Sequence, residues 1–322
     1  MNGPSRVLLT DLPWGNSEIE RKILEPLGAE IVEADESDET SLIESARDVD
    51  AIATCWAQVT DSVLDAAPDC RIVARMGIGL DNIDIASASR RGIPVTNVPD
   101  YCVEEVADHT LALLLALTRG VGFFHGQTKR GIYDLQAGPA MHRASTMTLG
   151  LIGLGRIGRA VARRAHDFGF TIIAHTSSGR SHGTDCRMVD LATLLRESDV
   201  ISLHAPLTDA TKHIIGEDAL AHTKSTAYLV NTSRGGLVDH QALQAALQSG
   251  RIAGAALDVF DPEPPDLNDP LFCDERVIAT PHAAFVSEEA LVDLRTRVAG
   301  QIADVLAGDR PENVVNPDVY SD

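Results

Sequence analysis

Three residues suited to proton transfer and anion binding each follow a predicted strand in the second half of the chain. Arg234 follows the strand predicted at 227–231, Glu263 lies in a Pro-rich turn after 253–258, and His282 follows 277–280. Arginine offers a planar, permanently charged fork for a carboxylate and an adjacent carbonyl oxygen. Histidine exchanges protons near neutral pH, and a neighbouring carboxylate stabilises its protonated form.

Each of these residues also has a purely structural interpretation when it is taken alone. Arg234 could bind main-chain carbonyls, Glu263 could be a solvated charge, and His282 could cap a loop. Their joint position favours catalysis, because parallel sheets bind ligands at the carboxyl ends of their strands. We therefore predict that the three side chains form one catalytic group.

A glycine-rich turn follows the strand predicted at 148–152 and precedes a basic helix predicted at 156–168. Gly153, Gly155 and Gly158, with Arg156 and Ile157 between them, match the pattern GxGxxG. In such a turn, glycines allow the backbone to approach a pyrophosphate, and the N-terminus of the helix attracts the anion. A glycine turn with no ligand is the structural alternative, and the strand–turn–helix context favours dinucleotide binding.

The next strand, predicted at 171–174, ends where an acidic residue would bind the ribose 2′-hydroxyl of NAD. That stretch has no carboxylate and instead contains the hydroxyl residues Thr176, Ser177 and Ser178, followed by Arg180. These groups are suited to a 2′-phosphate, whereas a solvent-facing loop would accept either cofactor. We predict an NAD(P)(H) cofactor, with a preference for NADP(H).

Two stretches of alternating strands and helices must position these residues. The first stretch has predicted strands at 6–10, 30–34, 51–55, 72–75 and 94–98, and the second at 148–152, 171–174, 200–204, 227–231, 253–258 and 277–280. Such alternation indicates two doubly wound α/β domains, Rossmann-like or flavodoxin-like, with parallel sheets and a cleft between them. We predict a dinucleotide-binding domain at 102–285 and a substrate domain at 1–101 plus 286–322. A helix at 104–118 links them, 121–147 is irregular, and a helix at 288–306 returns to the first domain.

Composition and charge restrict the partners of this protein. The 322 residues include 27 Lys and Arg against 47 Asp and Glu, a net charge of −20. Such a surface repels nucleic acid and anionic membranes, so a small anionic substrate needs a locally basic site. The five scattered cysteines contain no CxxC pair, which predicts reduced thiols and no metal site. With no leader and no long apolar run, we expect a cytoplasmic protein.

The sequence resembles the D-isomer-specific 2-hydroxyacid dehydrogenases over nearly its whole length. The matching blocks are LIGLGRIG at 151–158, VNTSRGGLVD at 230–239, ALDVFDPEP at 256–264, TPH at 280–282, RMGIGLDNID at 75–84, GIPVTNVP at 92–99 and EEVADH at 104–109. The resemblance implies reversible reduction of a 2-oxo acid, with Arg234 orienting the substrate, His282 as proton donor or acceptor, and Glu263 as its partner. It also implies a homodimer formed through 104–118 and 121–147.

The resemblance implies further binding residues as well. Thr232 and Asp258 would line the nicotinamide, while His204, Ala205 and Pro206 would border the adenosine and pyrophosphate. Backbone N–H groups of Ile78 and Gly79 would hold the substrate carboxylate, near the cation Arg75. For substrate specificity, the residues to consider are Trp56, Met76, Tyr101 and Phe285.

Several positions depart from the family pattern. Thr176 stands where NAD-using members often have Asp, and Phe285 follows His282 in place of a small residue, which would narrow the cleft. Trp56 ends a strand, where it either walls the substrate pocket or packs in the core. Tyr101 and Cys102, with the acidic pair after them, resemble the C-terminal-binding-protein branch of the family. Two other functions therefore stay open: a non-catalytic dinucleotide-sensing corepressor, and a formate or phosphite dehydrogenase.

Overall fold

The computed structural model describes residues 3–321, which divide into two compact units. One unit combines the residues up to Tyr101 with those from Ser287 onward, and the other comprises Cys102–Val286. Each unit is built on one parallel β-sheet, and each sheet carries a hydrophobic core on either face. The helix near the C-terminus therefore belongs to the same unit as the N-terminal strands.

The first unit contains a five-stranded sheet in the order β2-β1-β3-β4-β5, with all neighbours parallel. Its strands are β1 (Ser5–Leu9), β2 (Ala29–Glu33), β3 (Ala51–Thr54), β4 (Val73–Arg75) and β5 (Val95–Thr96). Its helices are α1 (Glu18–Leu24), α2 (Glu39–Ser45), α3 (Asp61–Asp65), α4 (Ile85–Arg90) and α12 (Glu288–Ala307). This strand order reverses direction next to β1, which is where doubly wound sheets bind ligands.

The second unit contains a seven-stranded sheet in the order β12-β11-β10-β9-β6-β7-β8, again parallel throughout. Its strands are β6 (Thr148–Ile152), β7 (Thr171–His175), β8 (Arg187–Met188), β9 (Val200–Leu203), β10 (Tyr228–Asn231), β11 (Gly254–Leu257) and β12 (Val277–Ala279). Its helices are α5 (Val103–Thr118), α6 (Val121–Lys129), α7 (Arg156–Asp167), α8 (Leu191–Glu197), α9 (Glu217–Ala221), α10 (His240–Gln248) and α11 (Pro270–Cys273). The order reverses between β6 and β9, so the glycine-rich turn after β6 lies at the switch point.

The central strands are apolar on both faces because both faces are covered. In β10, Leu229 packs into one core and its neighbour Val230 into the other, and both are fully buried. The same alternation occurs in β11 at Ala255 and Ala256. Near-continuous apolar strands of this kind are typical of parallel sheets covered by helices.

Two local features differ from the prediction. Residues 121–129 form α6, although the segment was predicted to be irregular. The helix is stabilised by Phe124, whose ring packs against Gly120 and Gly138. The short edge strand β8 was not predicted.

No single helix within residues 3–321 is long and apolar enough to cross a membrane. The consecutive helices α5 and α6 reach the required length and composition only as a pair, and the pair is bent by 64°.

Candidate active site

His282 and Glu263 form a hydrogen-bonded pair at the carboxyl edge of the seven-stranded sheet. His282 Nδ1 lies 2.8 Å from Glu263 Oε2, and Glu263 Oε1 accepts a hydrogen bond of 2.7 Å from the Phe260 N–H. One quarter of the His282 side chain is exposed, which keeps the imidazole accessible to a ligand. Because Nδ1 is bonded to the carboxylate, we assign proton exchange with a bound molecule to Nε2.

The electrostatic surroundings of Glu263 link this pair to Arg234. Burial raises the pKa of the Glu263 carboxyl. The hydrogen bond and charge of His282, the Phe260 N–H and the charge of Arg234 lower the pKa, and together they outweigh the effect of burial. The resulting pKa of Glu263 lies below its usual range. An ionised Glu263 stabilises a protonated imidazole, so the pair is suited to general acid catalysis.

The loop that carries Arg234 is fixed by its own strand end and by the neighbouring loop. The Asn231 amide nitrogen donates to the Arg234 carbonyl at 2.8 Å, and the Asn231 side-chain oxygen accepts from the Ser233 N–H at 3.1 Å. A Cβ on Gly235 would collide with the backbone of Phe260, so only glycine allows the two loops to touch. The loops of Arg234 and Glu263 are therefore packed directly together.

Asp258 holds the loop of His282 from below. Its fully buried carboxylate accepts hydrogen bonds from the Thr280 hydroxyl at 2.5 Å and from the N–H groups of Ala283 and Ala284 at 2.9 and 3.0 Å. The His282 N–H donates to the Asp258 and Thr280 carbonyls, and His282 has a φ of 51°. Both oxygens of the Asp258 carboxylate, which was predicted to line the nicotinamide, are thus hydrogen-bonded within the protein.

The glycine-rich turn has the geometry that a pyrophosphate requires. A Cβ on Gly153 would lie 2.5 Å from the His204 carbonyl oxygen, and one on Gly158 would collide with the Gly153 carbonyl. A Cβ on Gly155 would meet nothing within 4 Å, so the turn is open on that side. Helix α7 starts at this point without a side-chain cap, which leaves its first N–H groups for an anion. The residues present therefore fit a dinucleotide.

Seven other helices in residues 3–321 start differently. In each of them a side chain accepts a hydrogen bond from the first turn; these caps are Asp38, Thr60, Asp84, Asp190, Asp239, Asp269 and Ser287. The start of α7, with Arg156 and Ile157 in its first turn, shares the lack of a side-chain cap with α1, α5, α6 and α9. The support for anion binding at α7 therefore comes from the glycine turn that precedes it.

The loop after β9 packs against the glycine turn. His204 Nε2 lies 2.9 Å from the Ser202 hydroxyl, and burial lowers the pKa of His204 to about 4, so its imidazole is neutral near pH 7. Ala205 accepts a hydrogen bond of 2.7 Å from the Ser233 hydroxyl, and Pro206 accepts one of 2.7 Å from the Thr211 hydroxyl. These bonds fix the loop beside the turn and join it to the loop of Arg234.

The buried Thr232 faces helix α5. Its hydroxyl lies 2.8 Å from the Thr110 hydroxyl, so its predicted contact with a nicotinamide stays a prediction.

The end of β7 presents hydroxyl groups and a cation to solvent. Ser177, Ser178 and Arg180 are exposed, and the Thr176 hydroxyl donates to the Arg180 carbonyl at 3.2 Å. Arg159 of α7 donates to the His182 carbonyl at 3.3 Å, which ties the helix to this loop. Because no carboxylate occurs between residues 175 and 184, no negative side chain of this loop would repel a phosphate.

In the first unit, the turn after β4 differs in part from its predicted role. Arg75 and Met76 were predicted to contact substrate, but Arg75 is 7% exposed and Met76 is 1% exposed. The Arg75 guanidinium is held by Asn82 at 2.9 Å and by the Met76 carbonyl, while the Met76 side chain packs in the core below α12. Both side chains point inward because the turn folds back over the guanidinium at Gly77.

The backbone of the same turn was predicted to bind an anion through the N–H groups of Ile78 and Gly79. The Gly77 carbonyl accepts from the Val98 N–H at 3.1 Å, and the Ile78 carbonyl accepts from the Asn97 side chain at 2.8 Å. Within residues 3–321, the N–H groups of Ile78 and Gly79 donate no hydrogen bond. Adjacent backbone donors of this kind are suited to a carboxylate. The binding of a substrate carboxylate by these two N–H groups stays a prediction.

The aromatic residues predicted to set specificity are in different settings. Trp56 is 44% exposed, which rules out the core alternative, and Asp11 holds its N–H at 2.7 Å. Tyr101 is half-buried and packs against the core of the first unit. Phe285 meets the His282 ring edge-on, with centroids 6.0 Å apart, and the narrowing of the cleft by Phe285 stays a prediction.

Two functional candidates were missed by reasoning from the sequence. His109 and Thr110 of α5 bond to Thr280 and Thr232, at the strand ends that precede His282 and Arg234. The only signal was that the block at 104–109 ends in a histidine. Helical periodicity alone does not reveal which strand ends a side chain reaches.

Comparison with known proteins gives consistent similarities. A family model described as D-isomer specific 2-hydroxyacid dehydrogenase, NAD binding domain, matches residues 111–284. A glyoxylate reductase from Korarchaeum cryptofilum is 43% identical over 285 residues, which are 86% of this chain and 86% of that protein.

Solved structures give the same result. An NADPH-dependent glyoxylate/hydroxypyruvate reductase from Sinorhizobium meliloti, in complex with NADP and malonate, has a TM-score of 0.87 and 32% identity, covering 97% of each chain. A D-lactate dehydrogenase from Aquifex aeolicus, complexed with NAD and lactic acid, has a TM-score of 0.86 and 29% identity, covering 95% of this chain and 96% of that one.

Proposed function

The chain belongs to the family of D-isomer specific 2-hydroxyacid dehydrogenases, and on this premise we propose that it reduces a short 2-oxo acid of the glyoxylate or hydroxypyruvate class. It is an oxidoreductase that uses a nicotinamide dinucleotide. The observation that carries the proposal is the bond between His282 and Glu263, within the electrostatic range of Arg234.

The side chains at this edge have separate tasks in the reduction. When bound, the dinucleotide supplies a hydride to C2 of the acid. Arg234 orients the oxo acid and stabilises the negative charge that develops on the ketone oxygen. His282 Nε2 then delivers a proton to that oxygen, while Glu263 keeps the imidazole oriented and favours its charged form. In the reverse direction, the same nitrogen accepts the proton.

Replacing Arg234 with Ala tests this assignment. We expect kcat/KM for glyoxylate to fall by about 100- to 1,000-fold, since both orientation and charge stabilisation are lost. The measurement is NADPH oxidation across a panel of 2-oxo acids. Arg251→Ala, which removes an exposed arginine from the same unit, should keep wild-type turnover. Near-normal turnover by Arg234→Ala, or no turnover of any oxo acid by the wild type, contradicts the proposal.

We also propose a preference for NADP(H) over NAD(H). The proposal is supported by the loop after β7, in which Thr176, Ser178 and Arg180 are linked by hydrogen bonds and no carboxylate occurs between residues 175 and 184. A charge-assisted hydrogen bond contributes about 1.5–3 kcal/mol, so the preference should be about tenfold or greater.

The cofactor preference is measured as the ratio of kcat/KM for NADPH to that for NADH. Thr176→Asp should reverse the ratio, because the new carboxylate repels a 2′-phosphate and accepts from a 2′-hydroxyl. Arg180→Ala should reduce the ratio, and the control Arg251→Ala should leave it unchanged. Equal or higher efficiency of the wild type with NADH would overturn the proposed preference.

Two further properties are proposed on narrower grounds. A cytoplasmic location is supported by the five cysteines, all within the described residues, none of which forms a disulfide. A homodimer is supported by exposed apolar side chains in the segment after α6, and it is tested at the scale of the whole molecule in the Discussion.

A further inference from the structure

We propose that His109, on helix α5, is a positioning residue for the proton-donating imidazole of His282 and acts through Thr280 and Asp258. The inference rests on the proposed role of His282 in proton transfer. The contacts of His109 are with Thr280 and Asp258, at the base of the His282 loop.

The contact is made by one ring nitrogen. His109 Nε2 lies 3.1 Å from Thr280 Oγ1 and 3.6 Å from Asp258 Oδ1. Thr280 Oγ1 in turn lies 2.5 Å from the same Asp258 oxygen, which is fully buried. The three residues come from α5, from the end of β12 and from the end of β11, so the contact joins three separate segments of the chain.

The direction of the hydrogen bonds follows from the acceptors. Asp258 already accepts from the N–H groups of Ala283 and Ala284, so its oxygens act as acceptors toward the Thr280 hydroxyl as well. The Thr280 proton therefore points to Asp258, and Thr280 Oγ1 accepts a hydrogen bond from the imidazole N–H. This assigns the proton of His109 to Nε2.

His282 stands between the two points that Asp258 holds. Thr280 precedes it and Ala283 follows it, and both donate to the same carboxylate oxygen. The backbone of His282 has a φ of 51°, in the left-handed region that a residue with a side chain rarely adopts. Such a conformation persists only where neighbouring contacts enforce it. By holding Thr280 against Asp258, His109 helps to keep the imidazole aimed at Glu263.

Helix α5 adds a second contact that makes this positioning effective. Thr110, the next residue, lies 2.8 Å from Thr232 at the end of β10, the strand that precedes Arg234. One turn of a single helix thus contacts the strand ends that lead to both catalytic side chains. We infer that α5 fixes the spacing between the guanidinium and the imidazole, and that His109 is its contact on the imidazole side.

Substitution of His109 separates positioning from general stability. His109→Leu removes the donor and should lower kcat for glyoxylate reduction by about 10- to 100-fold, as expected for a small misplacement of a catalytic group. It should also raise the solvent deuterium isotope effect on kcat, because proton delivery becomes slower. The Kd of NADPH, measured by fluorescence titration, should stay within about twofold, since the glycine turn is untouched.

The conservative variants act as matched controls. His109→Gln retains an N–H donor and should recover most of kcat, and Thr280→Ser retains the hydroxyl and should behave like the wild type. Thr280→Val should reproduce the loss seen with His109→Leu, so the test survives if one variant fails to fold. His125→Leu, on the exposed surface of α6, should change neither kcat nor the isotope effect.

The outcomes distinguish this inference from the proposed function. If His282→Ala keeps full reduction of glyoxylate, the assigned role of His282 fails and the positioning role fails with it. If His282→Ala is inactive while His109→Leu and Thr280→Val keep wild-type kcat, only the positioning role is overturned. A parallel loss of NADPH binding, melting temperature and kcat that Gln does not restore would also overturn it, because that pattern indicates a merely structural contact.

Discussion

Glu263 divides its two carboxylate oxygens between the backbone N–H of Phe260 and the imidazole of His282. Because the charges of His282 and Arg234 hold the pKa of Glu263 below its usual range, the carboxylate is ionised throughout the neutral range. The stabilisation that it gives to the folded protein is present above the ordinary pKa of a glutamate. It is lost as the pH falls through the lowered value.

Removing this charge should change the pH dependence of catalysis. In Glu263→Gln the protonated imidazole loses its anionic partner, so the alkaline limb of kcat/KM for oxo-acid reduction should move to lower pH. The profile is measured between pH 5 and about pH 10 with saturating NADPH. Glu217→Gln, at an exposed acid of α9, should leave the limb in place. An unmoved limb in Glu263→Gln would count against the pairing.

The sequence was most informative for residues whose role follows from position. Arg234 and His282 follow parallel strands, and parallel strands end on one edge, so their convergence could be predicted. Arg75 is the last residue of a parallel strand, yet its side chain turns inward to Asn82 and the Met76 carbonyl. Strand position gives the edge where a residue lies but not the direction in which a long side chain folds.

At the scale of elements, the junction of β6 and α7 contains glycine at two positions that matter for different reasons. At Gly158 a Cβ would collide with the Gly153 carbonyl, which is backbone and has little room to move. At Gly155 a Cβ would meet nothing within 4 Å, so only an approaching ligand needs that space.

The two alanine substitutions should therefore have separable effects. Gly158→Ala should lower the melting temperature by several degrees, about what a destabilisation of 1–3 kcal/mol causes in a chain of this size, and weaken NADPH binding as well. Gly155→Ala should keep the wild-type melting temperature but raise the Kd of NADPH about tenfold or more. Differential scanning fluorimetry and fluorescence titration measure the two quantities. If both variants melt and bind alike, the pyrophosphate does not approach at Gly155.

Most strands and helices were predictable because periodicity and caps agree with the fold. Helix α6 was missed because its two glycines and exposed surface give little helical signal. The helix is stabilised by a tertiary contact of Phe124 with Gly138, which lies beyond the end of the helix. The strand β8 was missed because two residues are too few to show a period.

For the whole molecule, the unusual feature is where exposed apolar surface occurs on a chain of net charge −20. Ile132, Tyr133 and Leu135, in the segment after α6, are 46%, 97% and 80% exposed. Clusters of large apolar side chains on an otherwise acidic surface usually mark an association site, because burying them removes apolar area from water.

We expect this segment to mediate a homodimer, so light scattering at micromolar concentration should give twice the 34.4 kDa mass of the chain. Introducing charge through Tyr133→Asp and Leu135→Asp should yield a monomer, since an unpaired carboxylate is costly to bury in an apolar interface. Leu267→Asp changes another side chain of the same unit that is 71% exposed, and it should stay dimeric. A wild-type mass of one chain would refute the dimer. A double variant that remains dimeric would place the contact elsewhere on the surface.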